Sequence, residues 1–460
     1  MKILNVVVVS MSLVFAQLSA AAPTKAKPAA AVPASIALNP ETIETQVLRS
    51  NTSILDAMNA VHQAKDEVNI ARGNLLPSLN LTALLSFSPG GFMLASIDFL
   101  VPFLIPSNWA NYFTQKNLFE AEKLSYNVVE LNTYSSALSL YFTTLSDRQV
   151  QEIYQQEYLD LQQIFELQKQ KNGVGTVPIA DLLQTQAQAQ MAGVKASQLS
   201  ELNQQEIASL RKAMALNVNT AMTLDFVDMA ASPWEYQTLQ TTIDKANAVS
   251  LEAQQLRYMY RAAQDQVWSK AFGWISNVSV GSTGSASGGA SFAHMAATGS
   301  INLGFALYPT IQLSQDQAKE ILIQEQTLSL ENTRVVESAI NSLIEAKQQL
   351  DLATQAETEM AHVYQIKAQD YDQGTETLTN VLLARNQLAD ASIAKIKANS
   401  DVNLQRVLLH RILLSAQFST VPTCHAVRMP TEQKVGIIGR IFGPKDPPKY
   451  PTLDAVCHGK

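Results

Sequence analysis

The 460-residue chain has only two cysteines, Cys424 and Cys457, both close to its end. A fold stapled by several disulfides is excluded. Past residue 22 it has no apolar run of the roughly 20 residues that a spanning helix needs. Charged residues make up 16% and the net charge is −7, so the basic surplus that binds nucleic acid is missing and no nucleic-acid partner is expected. Phosphate-loop, zinc-protease and nucleophile-elbow motifs are absent, and the six histidines, His62, His294, His362, His410, His425 and His458, are scattered. These absences argue against an enzyme and call for no cofactor and no metal. Gly436-Ile437-Ile438-Gly439 is an isolated glycine pair, and Glu357 with Glu359 reads as a solvated helix face.

Proline and glycine are also missing from Asn108 to Lys171. One helix over that stretch would reach on the order of 95 Å, beyond the width of an ordinary domain. What stands out instead is a segment present twice. Asn172-Gly173-Val174-Gly175-Thr176-Val177-Pro178 in the first half has its counterpart around Asp372-Gln373-Gly374-Thr375-Glu376-Thr377-Leu378 in the second, the two superposing without a gap when Gly175 is laid on Gly374, an offset of 199 positions. Each copy joins two Gln- and Ala-rich helical stretches through a glycine turn, and each follows a pair of strand-like segments. The chain is therefore a duplicated strand, strand, helix, turn, helix unit.

The N-terminus carries Lys2, the apolar run Ile3 to Phe15 and the small residues Ser19, Ala20, Ala21 and Ala22. This pattern predicts a secretory signal over residues 1–21; a retained anchor is disfavoured because the run is too short. No cysteine stands near the cut to carry lipid. Residues 22–40 are rich in Pro and Ala and read as an extended arm. The first repeat is assigned to residues 41–220, with one helix from about Glu41 to Arg72, strands at about 78–103, and a helical hairpin whose tip lies near 172–177. Residues 221–249 connect it to the second repeat, 250–414, with strands at about 274–307 and a tip near 372–376. The long helices should run from Asn108 to Lys171, Pro178 to about Asn217, about Gln312 to Gln373, and Thr377 to Leu414.

Alternation supports the strands. Leu79, Leu81, Ala83, Leu85 and Phe87 interleave with Asn80, Thr82, Leu84 and Ser86; Ile97, Phe99 and Val101 recur around Asp98; Val278 and Val280 flank Ser279; and Ile301, Leu303, Phe305 and Leu307 alternate with Asn302 and Gly304. An exported chain without spanning helices enters a membrane only as a closed β-barrel. Four strands cannot close one, since about eight are the minimum, so the barrel would be shared between copies. On that reading Ser88-Pro89-Gly90-Gly91 and the Gly/Ser-rich stretch Ser282 to Thr298 are surface loops. The alternative is a small sheet in a soluble domain.

Fifteen glutamines lie between Gln149 and Gln205, too many for helices that bury most of their surface. Two wet faces follow, as in a wall of side-by-side helices with solvent outside, a water-filled lumen inside, and narrow apolar seams such as Leu378, Leu382, Arg385 and Ala389. A long solvated coiled coil is the competing arrangement. Residues 415–460 form a separate extension with six prolines. In an oxidising compartment Cys424 and Cys457 are candidates for a disulfide, while the pairs Cys424-His425 and Cys457-His458 leave a zinc site as the less favoured alternative because CxxC spacing is absent.

From about Ile43 to Leu414 the chain resembles the TolC-like outer-membrane efflux proteins. Asn74-Leu75-Leu76-Pro77-Ser78-Leu79 is similar to the passage from first helix to first strand in that family, and Tyr371-Asp372-Gln373-Gly374-Thr375 with Val381-Leu382 and Gln387-Leu388 resembles its second hairpin signature. The resemblance implies a mainly α fold with a membrane β-barrel contribution. It implies a homotrimer seated in outer-membrane lipid, with a shared twelve-stranded barrel and a twelve-helix periplasmic tunnel. Such a protein is the passive exit duct of a tripartite pump or type I secretion system. Its partners would be a periplasmic adaptor protein and an inner-membrane pump or ABC transporter. Adaptor docking falls on the tips, here Gly173, Val174, Gly175, Thr176, Gln373, Gly374 and Thr375. The family's closed entrance uses acidic residues after the second tip and an Arg-to-Asp link. Here Asp181 keeps the first acidic position, but Asn380, Leu383 and Glu376 occupy the others, which points to a polar and apolar gate in place of a charged latch. The second class of function weighed is a trimeric coiled-coil structural or adhesive protein. The sequence leaves the cargo open.

Overall fold

The computed structural model describes residues 35–76, 103–173, 177–273, 278–282, 295–299 and 306–419. In chain order come β1 (Ser35–Leu38), α1 (Pro40–Ser50), α2 (Thr52–Gly73) and the first long hairpin, α3 (Pro106–Gly173) and α4 (Ile179–Ala213). Then follow β2 (Ala221–Leu224), a 3-10 turn at Pro233–Tyr236, α5 (Leu239–Val249) and α6 (Leu251–Ala271). The antiparallel pair β3 (Val278–Ser282) and β4 (Met295–Gly299) precedes the second long hairpin, α7 (Leu307–Asp372) and α8 (Leu378–Leu413). Among the described residues no helix is long and apolar enough to cross a membrane, which says nothing of a barrel.

The repeat offset read between Gly175 and Gly374 recurs from element to element. Pro40, Thr52 and Ile179 open α1, α2 and α4; their counterparts 199 positions on, Leu239, Leu251 and Leu378, open α5, α6 and α8. The caps match too. Asn39 and Thr238 cap α1 and α5, and Asn51 and Ser250 cap α2 and α6, each with a side-chain oxygen accepting a backbone N–H that the first helical turn leaves free. At the far ends, Ala215 (φ 50°) and Leu414 (φ 47°) hold the same left-handed turn.

Within one chain the helices pack in rows. In the half near the strands the order is α2, α3, α6, α7; in the half near the hairpin turns it is α4, α3, α8, α7. α3 is therefore internal in both rows, and α7 stands at an end of both. A girdle surrounds the middle. β1 pairs in parallel with β2, Ser35 opposite Ala221, and α1 packs on α3 while α5 packs on α7. The main core lies there, with Tyr126, Tyr134, Tyr141 and Phe142 of α3 against Ile43, Val47, Ile54, Met58 and Phe418. Tyr134 donates to Gln417 Oε1 at 2.9 Å and Tyr141 to the Asp225 carbonyl, so the buried hydroxyls are satisfied.

Several expectations shift. The end of the Pro/Ala arm is packed, not loose, because residues 35–38 pair with a strand far along the chain. The helix expected over 41–72 breaks at Asn51, whose side chain accepts from Ser53 N at 2.8 Å and donates to the Ala213 carbonyl at 2.6 Å, tying the break to the end of α4. α5, placed in a connection, is the counterpart of α1 and belongs to the second repeat. The second hairpin strand runs over 295–299, inside the stretch read as a loop, and Leu307 opens α7 and is not in a strand. The strand candidates at 79–101, the tip residues Val174, Gly175 and Thr176, and Cys424 with Cys457 lie outside the described residues.

Aromatic side chains collect at the starts of α3 and α7 and at the end of α6. Phe103, Trp109, Tyr112 and Phe113 form a cluster with centroids 5.2 to 6.4 Å apart, Trp268 stacks on Phe272 at 5.8 Å, and Trp268 and Tyr308 are exposed.

Candidate functional site at the hairpin turns

The second turn is closed by backbone geometry. The Gly374 N–H donates to the Tyr371 carbonyl at 3.0 Å and the Thr375 N–H to the Asp370 carbonyl at 2.9 Å, with Gly374 at φ +78°. This is a Schellman ending, and it needs a residue that enters the left-handed region without a Cβ clash. The Thr375 hydroxyl adds a bond to the same Asp370 carbonyl at 3.0 Å. In the first turn α3 ends at Gly173, Asn172 Nδ2 donates to the Val177 carbonyl at 2.7 Å, and α4 starts after Pro178. Gly173, Gln373, Gly374 and Thr375 are all exposed.

The gate candidates separate into two kinds. Glu376 is turned into its own hairpin: Lys367 donates to one carboxylate oxygen, and Asn380 Nδ2 and the Thr377 N–H donate to the other at 2.7 and 2.9 Å. The Lys367 bond, then those from Asn380 and Thr377, hold its carboxyl down to about 2. Its charge is spent locally. Asp181 is half-buried in the first turn of α4, where its carbonyl accepts from Thr185. Leu383 is 54% exposed, whereas its neighbours Leu378 and Leu382 are buried against Leu161, Ala189 and Ala192. The structure thus brings Glu376 and Asn380 together and leaves Leu383 exposed.

The two turns are joined by Lys171, whose ammonium lies 5.0 Å over the Tyr371 ring, and by an apolar seam of Leu161, Leu378 and Leu382 with Tyr158, Ile164 and Tyr371 around it. The stripe Leu378, Leu382, Arg385 and Ala389 read from the sequence is buried throughout. Arg385 gives it its chemistry, for the guanidinium bonds Asp160 Oδ2 of α3 through Nη2 at 2.9 Å and Nε at 3.2 Å. Sequence reading missed this pair. The signal was there: a cation among buried positions four and seven residues apart demands a partner. Glu157, one turn before Asp160, is also buried; burial pushes its carboxyl up, with Arg385 and Lys195 acting against that shift. Farther along the hairpin, Glu206 of α4 meets Asp147 of α3. Burial first, then the Asp147 charge and hydrogen bond, push the Glu206 carboxyl up to about 7.

Residues 45–216 match the family model of the outer membrane efflux proteins. No curated protein matches the chain. Among solved structures, the CmeC outer membrane channel of Campylobacter jejuni aligns with a TM-score of 0.66 at 14% identity, over 83% of this chain and 88% of that one. VceC of Vibrio cholerae gives 0.63 at 13%, over 81% and 95%. The open-state MtrE outer membrane channel of Neisseria gonorrhoeae gives 0.56 at 13%, over 81% and 88%. The first repeat thus matches the outer membrane efflux protein family, and the chain as a whole shares the fold of outer membrane channels.

Proposed function

We propose that this chain is the exit-duct subunit of a tripartite efflux pump or a type I secretion system, a passive conduit that a periplasmic adaptor opens and an inner-membrane pump or ABC transporter energises. One observation carries the reading. Within the chain, α3 of the first repeat packs on α8 of the second, and on α6. The same contacts, advanced by one repeat, would join α7 to α4 and to α2, but those helices stand at the ends of the rows. Their outer sides expose Ile179, Leu183, Met191 and Val194 on α4 and Ile344, Leu352 and Ile366 on α7. Repeat symmetry is completed when α7 of one copy meets α4 and α2 of the next, which rolls the rows into a closed tunnel. The family resemblance supports three copies sharing a twelve-stranded barrel.

The aromatic cluster at the start of α3 suits the membrane boundary, where Trp and Tyr are favoured. The exposed glycine turns suit a docking partner, because a residue without a side chain lets another backbone approach. At the entrance, Asn380 and Leu383 form the constriction, with Glu376 neutralised by Lys367 and so no ring of free carboxylates after the second turn. Tryptophan in place of Gly175 or Gly374 is expected to abolish export while the folded trimer persists, as judged by heat-modifiable migration. Unchanged drug or protein export by both variants would overturn the docking assignment.

A further inference from the structure

The seam between α3 and α4 collects acceptor oxygens and leaves two of them without a donor. Asn203, only 5% exposed, turns its amide nitrogen to Gln151 Oε1 at 2.7 Å, and its own Oδ1 stays buried and unpartnered. Glu206, 9% exposed, buries Oε2 in the same condition. One step forward on α4 is one step back on the antiparallel α3. The Asn203–Gln151 bond therefore sets Glu206, three residues on, opposite the turn of α3 that carries Asp147, four residues back. Thr144, wholly buried on that turn, gives its hydroxyl proton to the Leu140 carbonyl at 2.7 Å and has none to spare.

The cations of the neighbouring helices are engaged elsewhere. Arg148 pairs with Glu152 at 3.5 Å, Lys195 of α4 rests 4.8 Å over the Tyr154 ring, and Lys395 of α8 bonds Glu357 at 2.7 Å. Arg211, five residues beyond Glu206, lies about 140° around α4, and Lys212 and Lys397 are exposed. Without an ion the two carboxyls are left to share a proton, in keeping with a Glu206 carboxyl pushed up to about 7 by burial and by Asp147.

The second repeat shows how the same place closes without ligands. One repeat on, Thr144, Asp147, Gln151, Asn203 and Glu206 become Leu343, Ala346, Leu350, Val402 and Gln405. Leu343, Ala346 and Val402 are buried in one apolar cluster, with Leu350 packed against it. The fold thus fills this seam with hydrocarbon and calls for no oxygen there. Buried acceptors without donors are costly, and a bound cation satisfies all of them together.

We propose that the α3–α4 seam binds one calcium ion per chain through the carboxylates of Asp147 and Glu206 and the Oδ1 of Asn203, with water completing the shell. No three of His, Cys, Asp and Glu gather among the described residues; the third ligand is an amide oxygen. An all-oxygen set suits a hard cation and not zinc or copper. Ligands drawn from two helices make an irregular shell, which calcium accepts with six to eight oxygens and magnesium, held to an octahedron, does not. The ion takes the place of the shared proton and cross-links α3 to α4 about 39 Å from the end of α3 at Gly173, far from the entrance residues. This site is independent of the channel reading.

The test is isothermal titration of calcium chloride into the purified, chelator-treated protein near neutral pH. One site per chain is expected, with a dissociation constant of roughly 0.1 to 1 mM, and magnesium should bind at least about tenfold more weakly. Glu206→Gln and Asn203→Val install the residues that the second repeat holds at these positions, and each should weaken calcium at least about tenfold. Asp147→Asn replaces either variant if it does not fold. The absence of saturable calcium binding up to roughly 10 mM overturns the site and leaves the proton as the bridge. Calcium binding that survives any of these substitutions, or magnesium binding as tight as calcium, overturns it as well.

Discussion

α3 and α7 are repeat counterparts of 68 and 66 residues, but their surroundings differ. α3 buries Tyr126, Tyr134, Tyr141 and Phe142, whereas the matching positions of α7 hold Glu325, Thr333, Ile340 and Asn341, and the largest side chain α7 buries is Leu343. A helix inside a row has partners on both flanks; one at the end has them on one flank only. Near-equal length thus coexists with unequal burial, as follows when one helix has a neighbour on each flank and the other on one flank only.

That contrast can be broken most forcefully in the core. Phe142→Ala should cost about 3–5 kcal/mol in chemical unfolding, while Asn341→Ala, its exposed α7 counterpart, should stay within about 0.5 kcal/mol. If the rows close as proposed, glutamate at Leu183 or Leu352 should disperse the assembly on native gels with helical content retained, because a charge on either row end would be buried without a partner. The pH dependence sharpens the picture within the first hairpin. Glu206 holds its proton in the folded protein up to about 7 but releases it near 4.5 when unfolded. The folded state therefore binds more protons across that window, and stability falls as pH rises through it. Glu206→Gln should accordingly raise the melting temperature by a few degrees at pH 8 and leave it nearly unchanged at pH 4. The smallest effects separate the two turns. Gly374→Ala should cost about 1–2 kcal/mol because of its left-handed φ, whereas Gly173→Ala, helical and with nothing near an added Cβ, should be neutral or gain about 0.5–1 kcal/mol.

Much of this architecture was legible in the residues. Long stretches free of Pro and Gly, punctuated by Gly374 and Pro178, gave the helices to within a few positions, since helix periodicity is a local signal. The capping residue Asn51 was also local, but the apolar period continued across it and hid the break. β4 escaped because Ala296, Ala297 and Thr298 are too small to show alternation. β1 and the Arg385 pair depend on partners far away, Asp160 lying 225 positions from Arg385, and no local pattern names such a partner. Of the candidate site, the positions of both turns could be read, but not that Lys367 and Asn380 would occupy Glu376.

The 199-residue repeat places one α3–α8 seam inside the chain; in the proposed assembly its counterpart, α7 against α4, forms with another copy. A ring of single-repeat subunits would change every seam with each inherited substitution. Here a substitution reaches only every second seam, so one set can be held fixed for assembly while the other varies. Arg385 and Gln186 already differ in this way: one seam holds a charge where its twin position has a neutral amide.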